Sequence, residues 1–189
     1  GCGGPQTQVE GHANPASPPD EVTIALVGTS DLHGYVEPRS QQVQDRGGAT
    51  QNIHKGGLAL LGGYLANLRQ RYPVLLLDGG DLFQGTLVSN LGEGKAVIDG
   101  YNALGYTASA IGNHEFDYGP DGPKSVPSCA EDDPTGALKA RIAAARFPFL
   151  SANIIDKKTG LPVAWPNIYP SRIVHLAGIP IGLVGAVTE

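Results

Sequence analysis

Short apolar runs alternate with segments of helical periodicity along most of the chain. Runs rich in Val, Ile, Leu and Ala predict strands at 21–28, 74–78, 107–111, 148–154, 172–176 and 179–187. Apolar residues recur at helical spacing in three further stretches, which predict helices near 57–71, 95–104 and 135–145. The alternation of strands and helices predicts a layered α/β domain, and the last two strands flank Gly178 and predict a hairpin.

The same pattern sets the expected boundaries of the domain. Residues 21–28 alternate little, which is typical of a strand buried on both faces of a sheet. Residues 35–56 are polar and contain Gly47 and Gly48, so we expect a long loop that rims a functional site. Residues 1–20 are rich in proline and have almost nothing to bury, which predicts a flexible tether. The domain is therefore expected to span 21–189.

Composition narrows the class of protein. A chain of 189 residues can bury about 70% of its unfolded surface in one core. The net charge of -5 argues against a nucleic-acid partner, because such proteins present a basic stripe. No apolar run approaches the roughly 18 residues of a transmembrane helix. An anionic substrate would therefore need positive charge from another source, and bound metal is the obvious one.

The amino end carries a separate signal. Gly1-Cys2-Gly3-Gly4, followed by the polar tether, looks like a bacterial lipoprotein just after its leader, with Cys2 as the lipidated residue. This interpretation predicts a periplasmic or surface location in the bacterial cell envelope and membrane contact only through the lipid. The alternative is that Cys2 is an incidental terminal cysteine. Together with Cys129 it provides neither a zinc site nor a disulfide framework.

Three of the predicted strands run into turns that contain glycine and residues able to bind metal. These turns read Gly28-Thr-Ser-Asp31-Leu-His33-Gly34, Asp78-Gly-Gly-Asp81 and Gly112-Asn113-His114-Glu-Phe-Asp117. Ligands of open α/β sheets bind outside the carboxyl ends of the strands. We therefore expect the three turns to converge on one pocket.

The residue types in these turns suit a metal centre. Asp31 and His33 lie two positions apart and can offer an oxygen and an imidazole nitrogen to one ion. The carboxylate of Asp81 has two oxygens, which can bridge two ions, and Asn113 offers a carbonyl oxygen. Mixed ligands of this kind suit Mn, Zn, Mg or Fe, and two such ions can bind a phosphoryl oxygen and a hydroxide nucleophile together.

Two other histidines are candidates for further ligands. His54 is either a fourth ligand or an ordinary surface or helix-entry histidine. His175 alternates with apolar neighbours, which favours a structural histidine whose hydrogen bonds are satisfied.

The three turns resemble the first three sequence blocks of the calcineurin-like metallophosphoesterases. The fuller strings, including Asp78-Gly-Gly-Asp-Leu-Phe-Gln-Gly-Thr86, look like the 5'-nucleotidase / 2',3'-cyclic-nucleotide phosphodiesterase branch. The resemblance implies a layered metallophosphatase-like α/β fold, with a β-sandwich core flanked by helices and incomplete at the carboxyl end. The chain would then be the amino-terminal part of the catalytic domain.

The resemblance also assigns roles to individual residues. Asp31 and His33 would bind the first metal ion, Asp81 would bridge both ions, and Asn113 would bind the second. His114 would stabilise the transition state or the leaving oxygen, oriented by Asp117. In the bridging role, Asp78 is the alternative to Asp81.

By the same resemblance the whole protein would release phosphate from a small nucleotide substrate, using two divalent ions to activate a hydroxide. The alternatives are a related hydrolase of cyclic nucleotides, nucleotide sugars or sulfur-bearing groups, and an inactive cell-surface binding module. The later histidine blocks of the family and its base-binding second domain do not match any segment of this sequence. We therefore expect this polypeptide alone to bind metal weakly and to hydrolyse little.

Overall fold

The computed structural model describes residues 21–188. In chain order the elements are β1 (Ala25–Thr29), β2 (Arg39–Gln44), β3 (Thr50–Lys55), α1 (Leu58–Arg69), β4 (Val74–Asp78), α2 (Leu87–Asn90), α3 (Lys95–Leu104), β5 (Ala108–Ala110), α4 (Gly136–Ala144), β6 (Phe149–Leu150), β7 (Ile168–Tyr169), β8 (Ser171–Leu176) and β9 (Ile179–Val184). A 3₁₀ turn at Asn113–Phe116 follows β5.

A five-stranded parallel sheet in the order β1-β4-β5-β6-β7 forms the centre of the fold. Helices α1, α3 and α4 pack around a buried core that includes Leu65, Ile98, Tyr101 and Phe149. The layered α/β architecture predicted from the sequence is confirmed. Because β1, β4 and β5 are neighbours and parallel, their carboxyl ends lie side by side at one edge of the sheet.

The helices match their predicted positions closely. The helix predicted at 95–104 is α3, and α1 and α4 lie within the predicted ranges 57–71 and 135–145. The predicted hairpin around Gly178 is confirmed by the antiparallel pair β8 and β9. The strand predicted at 148–154 is only two residues long, and the two-residue strand β7 was not predicted, because such short segments show no periodicity.

The prediction of a loop over 35–56 is wrong, because β2 and β3 form an antiparallel hairpin there. Its turn is built by Asp45, whose carboxylate accepts hydrogen bonds from the backbone N–H groups of Gly47 and Ala49. Gly48 adopts a φ of 82°, which favours glycine. The sequence does not predict this hairpin because every residue of β3 is exposed, so that no apolar alternation marks the strand.

The prediction that the first strand is buried on both faces is also wrong. The strand begins at Ala25 and lies at the edge of the sheet, and Leu26 remains 67% exposed on its uncovered face. The apolar composition does correctly predict a strand. Composition alone does not distinguish a central strand from an edge strand, because the difference depends on which elements pack against it.

The remaining predictions concern the surface or residues outside the described range. His54 is exposed on β3, with its Nδ1 3.5 Å from the hydroxyl of Ser40, and His175 is exposed on β8 rather than satisfied in the interior. The tether and the lipidation of Cys2 lie outside the described residues. Among residues 21–188, every helix is too short or too polar to cross a bilayer.

Candidate metal centre

The loops after β1 and β4 are joined by backbone hydrogen bonds at the carboxyl edge of the sheet. The N–H groups of Asp31 and His33 donate to the carbonyls of Gly80 and Asp81, at 2.9 and 3.0 Å. Asp31, His33 and Asp81 have φ values of 53°, 47° and 57°. Each such left-handed conformation costs a non-glycine residue about 1–2 kcal/mol and is retained where the surrounding structure fixes it.

The strained conformations bring three ligand side chains together. One ligand atom from each of Asp31, His33 and Asp81 lies within 4.8 Å of the other two. His33 Nδ1 donates to the carbonyl of Gln84 at 2.8 Å, which leaves Nε2 as the ring's acceptor. Two carboxylates and an oriented imidazole are a ligand set that suits a divalent ion. The residues therefore fit the metal that the sequence predicts.

Glycines allow the loops to approach this closely. A Cβ atom on Gly112 would overlap Asp81 Oδ1, and one on Gly85 would overlap the backbone of His33. A Cβ on Gly80 would lie 2.5 Å from the backbone nitrogen of Gly112. Side chains at these positions would push the ligand residues apart.

The third loop adds the residues after β5. The N–H of His114 donates to Asp81 Oδ1 at 3.0 Å, which ties the 3₁₀ turn to the cluster. Asn113 is exposed and is the first residue of this turn. The structure brings Asn113 to this edge of the sheet, and its role as a ligand stays a prediction.

His114 and Asp117 form the pair that the resemblance implied. His114 Nδ1 lies 2.7 Å from Asp117 Oδ2, and the hydrogen bond that the ring donates to Asp117 raises the pKa of His114. The ring centroids of His114 and His33 are 5.3 Å apart, so His114 stands beside the ligand cluster. A carboxylate that holds Nδ1 favours the imidazolium and leaves Nε2 to face a ligand.

Glu115 is a residue of this centre that the sequence did not single out. Its carboxylate is 1% exposed and accepts four backbone hydrogen bonds, from Gly112 (2.6 Å), Asp81 (2.8 Å), Leu82 (2.6 Å) and Phe83 (3.3 Å). Burial raises the pKa of Glu115 against the opposing effect of these bonds. Glu115 stands three residues after Gly112, at the start of a turn. That position is the only sequence signal that its carboxylate accepts backbone N–H groups.

Asp78, the alternative bridging residue, is buried and is not part of the cluster. It is 5% exposed, and its oxygens accept from Thr29 Oγ1 (2.5 Å), Tyr101 Oη (2.7 Å), the N–H of Gly80 (2.8 Å) and Ser109 Oγ (3.4 Å). Burial raises its pKa. Both oxygens of Asp78 accept hydrogen bonds from neighbouring protein groups, so Asp78 stabilises the start of the loop after β4. Asp81 is the carboxylate of this loop that belongs to the cluster.

Solved structures share this fold and this arrangement of elements. The calcineurin-like phosphoesterase of Bacillus subtilis is 23% identical, with a TM-score of 0.59 over 87% of this chain and 48% of that chain. A 5'-nucleotidase precursor from Thermus thermophilus is 32% identical, with a TM-score of 0.68 over 87% of this chain and 28% of that chain. No protein-family model matches the chain. The fold is that of a calcineurin-like metallophosphoesterase.

The sequence comparison narrows this class. Snake venom 5'-nucleotidase of Gloydius brevicauda is 34% identical over 167 residues, which is 88% of this chain and 26% of that protein. The chain belongs to the 5'-nucleotidase family of the calcineurin-like metallophosphoesterases. It spans about a quarter of the length of the curated relatives it matches.

Proposed function

We propose that the protein containing this chain is a metal-dependent phosphohydrolase that releases phosphate from nucleotides, as its relatives' name describes. The observation that carries the proposal is the Asp31, His33 and Asp81 cluster beside the paired His114 and Asp117. The identity of 34% to a 5'-nucleotidase favours a nucleotide substrate over the other esters.

Two divalent ions, such as Mn, Zn or Mg, are part of this proposal. Asp31 and His33 would hold the first ion, Asp81 would contact both, and Asn113 would contribute to the second. Bound ions of this kind neutralise phosphate charge and lower the pKa of water. The further ligands of the second ion are assigned to residues outside this chain.

The protein's own groups supply the remaining chemistry. The hydrogen bond to Asp117 keeps His114 protonated over a wider pH range, so that its Nε2–H can donate to the oxygen that leaves phosphorus. The N–H of His114 donates to Asp81 Oδ1, so the backbone of the turn after β5 orients a carboxylate of the loop after β4. Both contacts fix the site before substrate arrives.

Two parts of the proposal concern residues beyond the described site. Recognition of the base is assigned to a domain outside this chain. Lipidation of Cys2 would anchor the protein in the bacterial cell envelope, with a periplasmic or surface location. Metabolic labelling with a fatty acid analogue, compared with a Cys2→Ser variant, tests the anchor directly.

Phosphate release from adenosine monophosphate tests the activity, measured on the full-length protein with added manganese or zinc. Asp81→Ala is expected to lower activity at least a hundredfold and to weaken metal binding. Asp99→Ala is the matched control, since its carboxylate is 59% exposed on α3 and its one ion pair among the described residues is with Lys95. An Asp81→Ala protein that binds two ions with the affinity of the parent would refute the bridging role.

Substrate class is tested by the same assay with cyclic, sugar-linked and sulfur-bearing analogues. The proposal expects the nucleoside monophosphate to be hydrolysed fastest. The 189-residue chain assayed alone is expected to release little phosphate. Full activity of the short chain would show that this chain, or a second copy of it, supplies all the ligands.

A further inference from the structure

A positively charged cavity lies at the base of the hairpin formed by β2 and β3. Its volume is about 440 Å³, and its lining includes Tyr35, Glu37, Arg39, Lys55 and Gly57. Two cations and one carboxylate give this lining a formal charge of +1. None of these residues belongs to the metal centre described above.

The two cations face each other across the hairpin. Arg39 and Lys55 are directly paired in the antiparallel register, so their side chains project from the same face of the ladder. Like charges in this position destabilise a hairpin unless a counter-ion lies between them. Among residues 21–188, neither side chain has a carboxylate within 4.0 Å, although Glu37 lines the same cavity.

Arg39 is held in an orientation suited to an oxyanion. Its guanidinium carbon lies 3.6 Å from the centroid of the Tyr35 ring, which is a cation–π contact. A guanidinium held over the face of a ring can keep the N–H groups of its edge available for two parallel hydrogen bonds to an oxyanion. Lys55, which is paired with Arg39 in the register, adds a second cation to the lining of the same cavity.

The base of the hairpin is fixed to the loop after β1, which contains the candidate ligands Asp31 and His33. The N–H of Tyr35 donates to the carbonyl of Leu32, and the N–H of Leu58 donates to the carbonyl of Val36, both at 2.9 Å. Gly57 has a φ of 81°, and a Cβ there would lie 2.5 Å from the nitrogen of Pro38. The two ends of the hairpin therefore lie in close contact, and backbone hydrogen bonds tie the segments on either side of it to each other and to Leu32.

A smaller cavity of about 200 Å³ continues from this one toward the metal centre. It shares Tyr35, Glu37 and Arg39 with the larger cavity and is bounded on its far side by Gly34 and Thr86. Gly34 follows the ligand residue His33, and the hydroxyl of Thr86 donates to the carbonyl of Gly34 at 2.6 Å. The charged cavity thus lies next to the loops that carry the ligands.

We propose that Arg39 and Lys55 form a binding site for a diphosphate group. Two adjacent cations match the paired charges of a diphosphate, and the Arg39 fork matches the geometry of one phosphoryl group. The site is independent of the proposed phosphohydrolase activity, because it needs no metal ion and uses none of the ligand residues. A diphosphate reaches it either as the free ion or as part of a nucleotide.

Calorimetric titration of the metal-free full chain with inorganic pyrophosphate tests the site. We expect saturable binding that weakens at least tenfold in Arg39→Gln and in Lys55→Gln. Arg46→Gln is the matched control, since it removes the same charge from the turn of the same hairpin, and it is expected to change binding less than twofold. Circular dichroism of each variant checks that the fold is retained.

Two further titrations separate the ligand classes. Inorganic phosphate should bind at least tenfold more weakly than pyrophosphate, and adenosine diphosphate should bind at least as tightly as pyrophosphate if the nucleotide is the source. Absence of saturable pyrophosphate binding would overturn the proposal. So would an equal loss in the Arg46→Gln control, because that result indicates attraction by net charge and no defined site.

Discussion

Replacing Glu115 by glutamine tests how the metal centre is held together. Oε1 of Glu115 accepts the N–H groups of Leu82 and Phe83, and Oε2 accepts those of Asp81 and Gly112. Glutamine keeps one oxygen and places an NH₂ group where the other was. Two backbone N–H groups then face the NH₂ group, which cannot accept them, so the loop that carries Asp81 is attached less firmly to the loop after β5.

The structure sets the expected size of this effect. A buried donor left without an acceptor costs about 1–3 kcal/mol, so two of them cost about 2–6 kcal/mol. Removal of a buried charge offsets part of that cost, because burial disfavours the ionised form of Glu115 and raises its pKa. We expect a net loss of about 2–4 kcal/mol in the free energy of unfolding, which is a large share of the roughly 5–15 kcal/mol typical of a domain.

Urea unfolding of the metal-free protein and calorimetric titration with manganese measure the two consequences separately. We expect Glu115→Gln to lower both the unfolding free energy and the metal affinity, because Asp81 is held less firmly in place. Glu93→Gln is the control, since its exposed carboxylate accepts the N–H of Gly122 at the surface and should change stability by less than about 1 kcal/mol. Parent-like metal affinity in Glu115→Gln would refute the positioning role.

Three further predictions concern the same fold. Asp78→Ala should destabilise the metal-free protein by about 3–5 kcal/mol, because it leaves the N–H of Gly80 and the hydroxyl of Tyr101 buried without their acceptor. Asp81→Ala should destabilise it less, since only the part-buried N–H of His114 loses an acceptor, and equal urea midpoints for the two variants would contradict this. Gly112→Ala should weaken manganese binding at least tenfold by displacing Asp81, and calorimetry showing unchanged affinity would argue against the close approach. The hydrogen bond from Lys139 lowers the pKa of Asp133 to about 2, so its stabilising effect is present above the unfolded pKa of about 3.9 and is lost as pH falls toward 2. The side chain is 44% exposed, so Asp133→Asn should cost less than about 1 kcal/mol at pH 6 and nothing near pH 2, as thermal unfolding at the two pH values would show.

The candidate ligand residues are visible in the sequence because each group of them is local. Asp31 and His33 lie two positions apart, and the strand before them and the glycine after them are visible in the same short segment. Amphipathic spacing likewise located α1, α3 and α4, since a helix needs only its own residues to show its apolar face. What periodicity did not detect was the hairpin of β2 and β3, whose exposed residues carry no apolar pattern.

The choice between Asp78 and Asp81 depended on residues distant in sequence. The two aspartates are three residues apart and both come after the same apolar run. The sequence pattern alone therefore does not distinguish their roles. Thr29 on β1, Tyr101 on α3 and Ser109 on β5 surround Asp78 only once the sheet and helix have assembled. The same assembly places the buried carboxylate of Glu115 against the amide groups of the loop that carries Asp81.

The sequence by itself therefore determined the α/β class, the helices and the set of residues able to bind metal. Tertiary structure decided which carboxylate faces the cluster, which one is buried as a support, and that two cations meet at the base of a hairpin. The physical reason is that ligand type and periodicity are properties of a short segment. The environment of a carboxylate depends on donors that arrive from other strands and helices, and no single segment contains them.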